Sequence, residues 1–271
     1  MRTVRFKRYD ESASLEERLN HQKHIDAHIA WRATFDRFLA SQSQSLQDLK
    51  AAKVLEIHRI VALTWLKRCM DPTETAMDQD IADYDTAVGL AETLQRGNDA
   101  QDTHSYSSAS FVFDIEVIAP LYLIATKCRH PQIRRRAIAL LRGTVRREGL
   151  WDSQETAAIA ERIMEYEEAE LTTLDGSELP AEAQRIHNTH IENTPVLNFS
   201  LHSLTYYART DGNWRVWQEQ MVLQTVAGET IGADETKAMS LHWKFPLEQV
   251  RPVNAVLGHA CEIAGERHAQ R

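Results

Sequence analysis

The chain has 271 residues, of which 43% are hydrophobic and 26% are charged, as is typical of a folded globular protein. Its formal net charge of −8 argues against non-specific affinity for DNA or for anionic membranes as its main property. No apolar run approaches the roughly 18 to 20 residues of a membrane-spanning helix, and the first residues lack the apolar core of a signal peptide. We therefore expect an intracellular protein of the nucleus or cytoplasm, with no membrane partner.

The cysteines also exclude several classes of protein. Cys69, Cys128 and Cys261 are far apart and show no C-x-x-C spacing. This pattern excludes a disulfide framework and a cysteine-ligated zinc cluster within this chain. The well-defined motifs of nucleotide-dependent, serine-hydrolase and zinc-protease chemistry are missing as well. We expect no cofactor and no bound metal.

The first hundred residues have the periodicity of long helices. Apolar residues recur at helical spacing over residues 15–40 and 46–70, and a third helix is predicted over residues 73–95. The second helix should end before Asp71-Pro72, because proline disfavours a helical residue in front of it. The polar segment 96–110 is rich in small residues, which is typical of a surface loop.

Three further helices are predicted after this loop. The apolar run 111–126 favours a buried helix that is entered or kinked at Pro120. Pro131 suits a first helical position, so a short helix should run from there to Arg142. Asp152 is followed three residues later by a glutamate, which is a capping signal for the sixth helix.

Strand-forming residues dominate after Gly176. Residues 196–208 and 214–226 are rich in β-branched and aromatic types, and Asp211-Gly212 between them is a turn signal. A terminal helix over residues 252–267 is compatible with the weaker pattern there.

Together these elements predict a mainly α protein, a helical bundle or array of about six helices followed by a small antiparallel β-hairpin unit. We expect a helical domain over residues 1–176. A C-terminal extension over residues 177–271 should contain the hairpin and pack on that domain.

Residues 125–142 hold five arginines and a lysine, which is unusual in an acidic chain. A nucleic-acid contact is the simplest interpretation of such a run. On a helical wheel, however, Arg135 and Arg142 lie opposite the apolar arc and Arg136 lies at its edge, whereas Arg134 falls inside the arc. A buried guanidinium needs an acceptor, so we expect an internal ion pair, with a ligand anion or DNA as alternatives. The acids nearest in sequence are Asp114, Glu116, Glu148 and Asp152.

A resemblance to a known family is carried by residues 113–168, which read FDIEVIAPLYLIATKCRHPQIRRRAIALLR and, after three residues, RREGLWDSQETAAIAERIMEYEE. This span resembles the C-terminal part of the regulatory domain of fungal six-cysteine zinc-cluster transcription factors, a family associated with secondary-metabolite gene clusters. Weaker collinear similarities extend over about residues 30–225, in the segments WRATFDRFLA, LEIHRIVALTWL and NWRVWQEQMVL.

The resemblance implies an all-helical regulatory fold, which in the family follows a DNA-binding zinc cluster. No cysteine array is present here, so the family's DNA-binding residues have no counterpart and we expect no direct nucleic-acid contact. The family pattern FD-x-G-x-x-P-P-L-Y differs here at Glu116 and Ala119. The carboxylate at position 116 is therefore a candidate functional group.

Candidate site residues follow from these observations. His58 lies on the apolar stripe of the second helix, where it is either a hydrogen-bonded core histidine or, with Asp114 or Glu116, part of an acid/base pair across a cavity. The candidate ligand-binding residues are Arg129, Arg134, Trp65 and Tyr122.

Other ionisable groups have simpler interpretations. The histidines at positions 21, 24 and 28 share one helical direction, which suits packing or surface roles better than metal binding. His187 and His190 should point to opposite faces of an extended segment. Cys69 and Cys128 are interpreted as core residues, with a nucleophilic role as the alternative. The acidic run within residues 165–170 is interpreted as a solvated helix face.

Two functions are compatible with these features. The first is a stand-alone transcription-factor-like regulatory or ligand-binding domain linked to fungal secondary metabolism. It would bind a small metabolite or a protein partner, or form a homodimer, without binding DNA by itself. The second is a biosynthetic enzyme recruited from the same family, such as a cyclase, dehydratase or hydrolase acting on a polyketide-like intermediate. The chain could also be a fragment of a longer factor.

Overall fold

The computed structural model describes residues 13–41, 46–99, 110–112, 116–143, 145–196, 199–210 and 213–224. The chain divides into two compact units, Met1–Ala181 and Glu182–Arg271. Within the described residues the first unit is mostly helical and the second is a small antiparallel sheet. The helices are α1 (Leu15–Ser41), α2 (Leu46–Arg68), α3 (Ile81–Asp99), α4 (Ile118–Lys127), α5 (Pro131–Arg142) and α6 (Ser153–Glu168). The strands are β1 (Ser110–Val112), β2 (Arg146–Glu148), β3 (Trp151–Asp152), β4 (Ile186–Val196), β5 (Phe199–Thr210) and β6 (Asn213–Gln224).

The helical pattern of the first hundred residues is confirmed for α1 and α2. The third helix begins later than predicted, at Ile81, because the preceding Thr75–Asp80 forms a 3₁₀ turn. Glu74, at the start of this turn, is fully buried. Its carboxylate accepts a hydrogen bond from Lys127 Nζ at 2.8 Å, which ties the turn to the interior of the unit.

The hydrophobic core lies between α2, α3, α4, α5 and α6. Ile57 of α2, Val88 of α3, Ile124 of α4 and Ala137 of α5 are all completely buried in one apolar cluster. Burying a large aliphatic side chain stabilises a fold by roughly 1.5–3 kcal/mol, so this cluster is the main driving force for folding of the unit. By contrast, α1 contains no buried residue.

The prediction of a helix over residues 111–126 is wrong for the first part of that range. Residues 110–112 form strand β1, which pairs in parallel with β2, and β2 pairs antiparallel with β3. Helix α4 begins only at Ile118, with Pro120 in its first turn. Periodicity does not distinguish a strand from a helix in a short apolar run, and the strand's partner lies more than thirty residues away in the sequence.

The predicted starts of the last two helices are confirmed. Pro131 is the first residue of α5, where its missing N–H is not needed. Asp152 caps α6, and its Oδ1 accepts hydrogen bonds from Gln154 N at 2.9 Å and Glu155 N at 3.0 Å. Ile159 of α6 is buried, as its periodicity requires.

In the second unit the predicted hairpin is part of a three-stranded sheet. β5 pairs antiparallel with β6 on one side and with β4 on the other. The sequence analysis predicted only an extended segment around His187 and His190, and not a third strand of the sheet, because the β4 sequence, IHNTHIENTPV, is polar and gives little strand signal. The predicted turn at Asp211-Gly212 and the predicted helix over residues 252–267 lie outside the described residues.

We predict that Asp152→Ala lowers the free energy of unfolding by about 1 kcal/mol, because two amides at the start of α6 lose their acceptor. Asp152→Asn is the matched control, since its side-chain oxygen still caps a helix, and should cost less than about 0.5 kcal/mol. Urea denaturation followed by circular dichroism measures both. Equal losses in the two variants would show that the cap is not what Asp152 contributes.

Candidate functional site

The most unusual feature of the helical unit is a group of ionic side chains in its interior, which we call the buried charge cluster. It contains three cations and three carboxylates, so its formal charge is zero. The members of the buried charge cluster are Glu74, Lys127, Arg129, Arg134, Glu167 and Glu168.

Arg129 is the hub of this cluster. Its Nη1 donates to Glu74 Oε2 at 3.0 Å and to the main-chain oxygen of Lys127 at 2.9 Å, and its Nη2 donates to Glu167 Oε1 at 2.9 Å. Burial alone lowers the pKa of Arg129, but attraction by Glu167 and Glu74 more than offsets this effect and raises the pKa above its ordinary value. The guanidinium therefore stays charged although it is fully buried.

Arg134 is the second buried guanidinium, and it does form the expected internal ion pair. Its Nη2 pairs with Glu167, its Nη1 lies 3.5 Å from Glu168 Oε1, and its Nε donates to the main-chain oxygen of Cys128 at 3.0 Å. The partner is thus not one of the four acids nearest in sequence. It belongs to the acidic run that was interpreted as solvated, and that interpretation is wrong for Glu167, which is fully buried.

A signal for Glu167 was present in the sequence. Glu167 follows Ile163 by four residues and Ile159 by eight, so it continues the buried face of α6. Glu74 had no comparable signal, since it precedes a 3₁₀ turn with no periodicity of its own.

The remaining arginines of the run are also paired with acids. Arg135 pairs with Glu168, Arg136 Nε lies 2.7 Å from Glu92 Oε1, and Arg142 pairs with an acid of α6, Glu161. The hydrogen bond from Arg136 lowers the pKa of Glu92. The run is therefore charge-compensated along its whole length.

A second polar arrangement lies where β2 meets the start of α4. The carboxylate of Glu148, fully buried, accepts hydrogen bonds from Glu116 N at 2.9 Å, Val117 N at 3.3 Å and Ile118 N at 3.0 Å. It also pairs with Arg146 Nη2 at 2.6 Å. Since Val117, the residue before the helix, has no capping side chain, Glu148 serves as the helix cap from a distant strand.

Of the candidate acid/base residues, His58 and Glu116 are neighbours, but the imidazole does not hydrogen-bond to the carboxylate. His58 Nε2 lies 2.6 Å from the main-chain oxygen of Glu116, so the imidazole bonds to the backbone of that residue. The carboxylate of Glu116 is instead 2.8 Å from Arg146 Nη1. Asp114 lies outside the described residues. A catalytic role for the three residues stays a prediction.

A small cavity lies beside this arrangement, with a volume of about 50 Å³. Glu116, Arg146 and Leu121 contribute to its wall. Pockets for drug-sized ligands usually hold about 300–1,000 Å³, so this cavity has room for a few water molecules only.

The four candidate ligand-binding residues lie away from that cavity wall. Arg129 and Arg134 are taken up by the buried charge cluster, and Trp65 is half-buried on α2. Tyr122 packs against Trp151 with ring centroids 5.6 Å apart, and burial raises the pKa of its hydroxyl. Ligand binding by these residues stays a prediction.

The histidines are dispersed. His21 and His28 are half-buried on one face of α1 while His24 is exposed, and His21 Nε2 lies 2.5 Å from the main-chain oxygen of Leu66. In the sheet unit, His187 is buried and His190 is exposed. Among the described residues, no three histidine, cysteine or acidic side chains are grouped to hold a metal ion. No helix in the described part of the chain is long and apolar enough to cross a membrane.

Comparison with known proteins gives one local similarity. Over 83 residues the chain is 35% identical to the aspercryptin biosynthesis cluster-specific transcription regulator of Emericella nidulans. The aligned segment covers 28% of this chain and only 14% of that regulator. No family model matches the chain, and no solved structure matches it. The chain thus contains a region related to a fungal transcription regulator.

We predict that Glu167→Gln lowers the free energy of unfolding by roughly 3–5 kcal/mol, because two buried guanidinium groups lose their shared counter-charge. Glu165→Gln is the matched control on the same helix. Glu165 is exposed and, among the residues that the structure describes, pairs with neighbouring Arg162, so its loss should cost less than about 0.5 kcal/mol. Chemical denaturation measures both, and similar values would contradict a structural role for the cluster.

We also predict that Cys128 is inert in the folded protein. Burial raises the pKa of its thiol to about 11, and only the thiolate reacts. In a Cys69→Ser/Cys261→Ser variant, Ellman's reagent at pH 8 should react with Cys128 only at the rate of unfolding, and promptly once denaturant is added. Rapid stoichiometric reaction of the folded protein would instead support the nucleophilic alternative.

Proposed function

We propose that this chain is part of a regulatory protein that controls transcription of a fungal secondary-metabolite gene cluster. The observation that carries the proposal is the 35% identity over 83 residues with a cluster-specific transcription regulator. A mostly helical unit whose described residues form an apolar core is compatible with such a role. A location in the nucleus, or in the cytoplasm before import, follows from the same proposal.

Within that protein, the chain acts through protein contacts and leaves DNA recognition to another segment or subunit. Phosphate binding needs cationic side chains that are free to meet the DNA backbone. In the arginine run, Arg129 and Arg134 are buried, and Arg135, Arg136 and Arg142 each pair with a carboxylate. The net charge of −8 opposes DNA binding further.

A protein partner is favoured over a metabolite. The cavity of about 50 Å³ beside Glu116 is several times smaller than a pocket for a polyketide-sized ligand. A second pocket, of about 350 Å³, is large enough by volume, but it is a wide-open surface depression and does not enclose a ligand. The residues that line this depression are Glu92, Gln95, Arg96 and Leu140. Exposed apolar side chains are frequent on α1, among them Trp31 and Phe38, and such groups suit contact with another polypeptide.

The alternative, a recruited biosynthetic enzyme, needs an acid and a base that converge on a substrate. The described contacts direct His58 to a main-chain carbonyl and Glu116 to Arg146. We therefore favour the regulatory role.

The proposal predicts that the chain alters transcription when it is brought to a promoter. Fused to a heterologous sequence-specific DNA-binding domain, it should change the transcript level of a reporter that carries the matching site. The DNA-binding domain alone and the chain without that domain are the controls, and neither should change it.

Direct DNA binding is tested separately by fluorescence anisotropy with duplex DNA at physiological salt. The chain should bind no more tightly than ordinary non-specific binding, with a dissociation constant of about 10⁻⁶ M or weaker. Tight binding by the isolated chain, or a fusion that leaves the reporter unchanged, would contradict the proposal.

A further inference from the structure

Helix α1 is held to the rest of its unit by one narrow face. None of its 27 residues is buried, and the half-buried positions recur every three or four residues. Contacts with α2 include the His21 bond to Leu66 and an ion pair between Arg32 and Glu56. Most helical stability in proteins comes from packing of an apolar face. A long helix that packs along only one narrow face is therefore stabilised further when another polypeptide covers a second face.

A second face of α1 carries apolar side chains in contact with solvent. Leu15 is 74% exposed, Leu19 is 55% exposed and Ile29 is 58% exposed. On a helical wheel, successive residues are about 100° apart. These three residues and three polar ones lie together within an arc of about 100° on that wheel. We call this set the α1 outer face, and its residues are Leu15, Arg18, Leu19, Gln22, Asp26 and Ile29.

About Gln22, the α1 outer face is symmetric in hydrophobicity and antisymmetric in charge, apart from Leu19, whose counterpart Ile25 is half-buried and lies outside the face. Leu15 and Ile29 lie seven residues before and after it, and both are apolar. Arg18 and Asp26 lie four residues before and after it, and they carry opposite charges. All three polar residues of the face are exposed.

This symmetry is what a self-complementary helix pair requires. When two copies of α1 lie antiparallel with Gln22 on the two-fold axis, each residue meets the one at the equal and opposite distance from that axis. Leu15 of one copy then faces Ile29 of the other, and Arg18 faces Asp26. The two-fold axis repeats each of these contacts, so the interface contains two apolar pairs and two ion pairs.

We propose that the α1 outer face is a self-association surface, on which a second copy of this chain docks antiparallel about Gln22. The charge pattern selects this occupant, since an unrelated helix has no reason to present an acid opposite Arg18 and a base opposite Asp26. Residues 15 to 29 span about 21 Å of helix, so the interface is small and the association is weak and reversible. Self-association goes beyond the proposed regulatory role, and its failure would leave that role untouched.

Sedimentation velocity of the full chain over a range of protein concentrations tests the proposal. The mass should rise reversibly from 31.0 kDa towards twice that value. Arg18→Asp and Asp26→Arg should each weaken dimerisation by about tenfold or more, because like charges then meet twice across the axis. The double variant Arg18→Asp/Asp26→Arg should return to within about threefold of the original chain, because the pairs re-form with their signs exchanged.

Arg37→Asp is the matched control, since it makes the same charge change at an exposed position of α1 outside the overlapping residues. It should leave dimerisation unchanged. A chain that stays monomeric at every concentration would overturn the proposal, and so would a double variant as weak as the single ones. Equal damage by Arg37→Asp and Arg18→Asp would overturn the antiparallel register. Recovery in the double variant distinguishes a lost interface from a lost fold.

Discussion

Two buried guanidinium groups that share one carboxylate constrain the whole helical unit. Arg129 and Arg134 are both completely buried, and both depend on Glu167. An unpaired charge in the interior costs several kcal/mol, so α6 must pack where its glutamate meets both arginines. Apolar packing is non-directional and tolerates several helix arrangements, whereas these contacts have defined distances and directions. We interpret the cluster as a device that selects one arrangement of α4, α5 and α6.

Glu148 applies a similar constraint to the small sheet of the first unit. Its carboxylate binds the free amides at the start of α4, which has no capping side chain of its own. The strand that carries Glu148 is thereby tied to the helix that it caps. The unusual carboxylate at position 116 also belongs to this arrangement, because Arg146 bridges it to Glu148. In the structure this half-buried carboxylate pairs with Arg146.

These ion pairs bear on function because they neutralise an arginine-rich segment that would otherwise indicate nucleic-acid binding. An arginine-rich segment in an acidic protein is unusual, and here each of its arginines meets a carboxylate. Several exposed apolar side chains lie on α1, which contains no buried residue. These exposed side chains are one ground on which we propose that the protein works through contacts with polypeptides.

Local patterns in the sequence determined much of this protein. Periodicity identified the helices of the first unit, Pro131 and Asp152 marked two helix starts, and the wheel position of Arg134 indicated a buried guanidinium. Each of these features depends on residues within a few turns of one another, so the order of residues is sufficient to reveal it.

Only the tertiary structure decided which distant groups meet. Glu167 as the partner of Arg134, Glu148 as the cap of α4, and strand β1 beside β2 all join residues about thirty or more positions apart. Such contacts depend on how whole elements pack, since burial makes a polar group seek whichever partner the packing brings within hydrogen-bond distance. Sequence proximity therefore suggested the wrong acids for Arg134, whereas the requirement that a buried charge be paired was correctly inferred from the sequence.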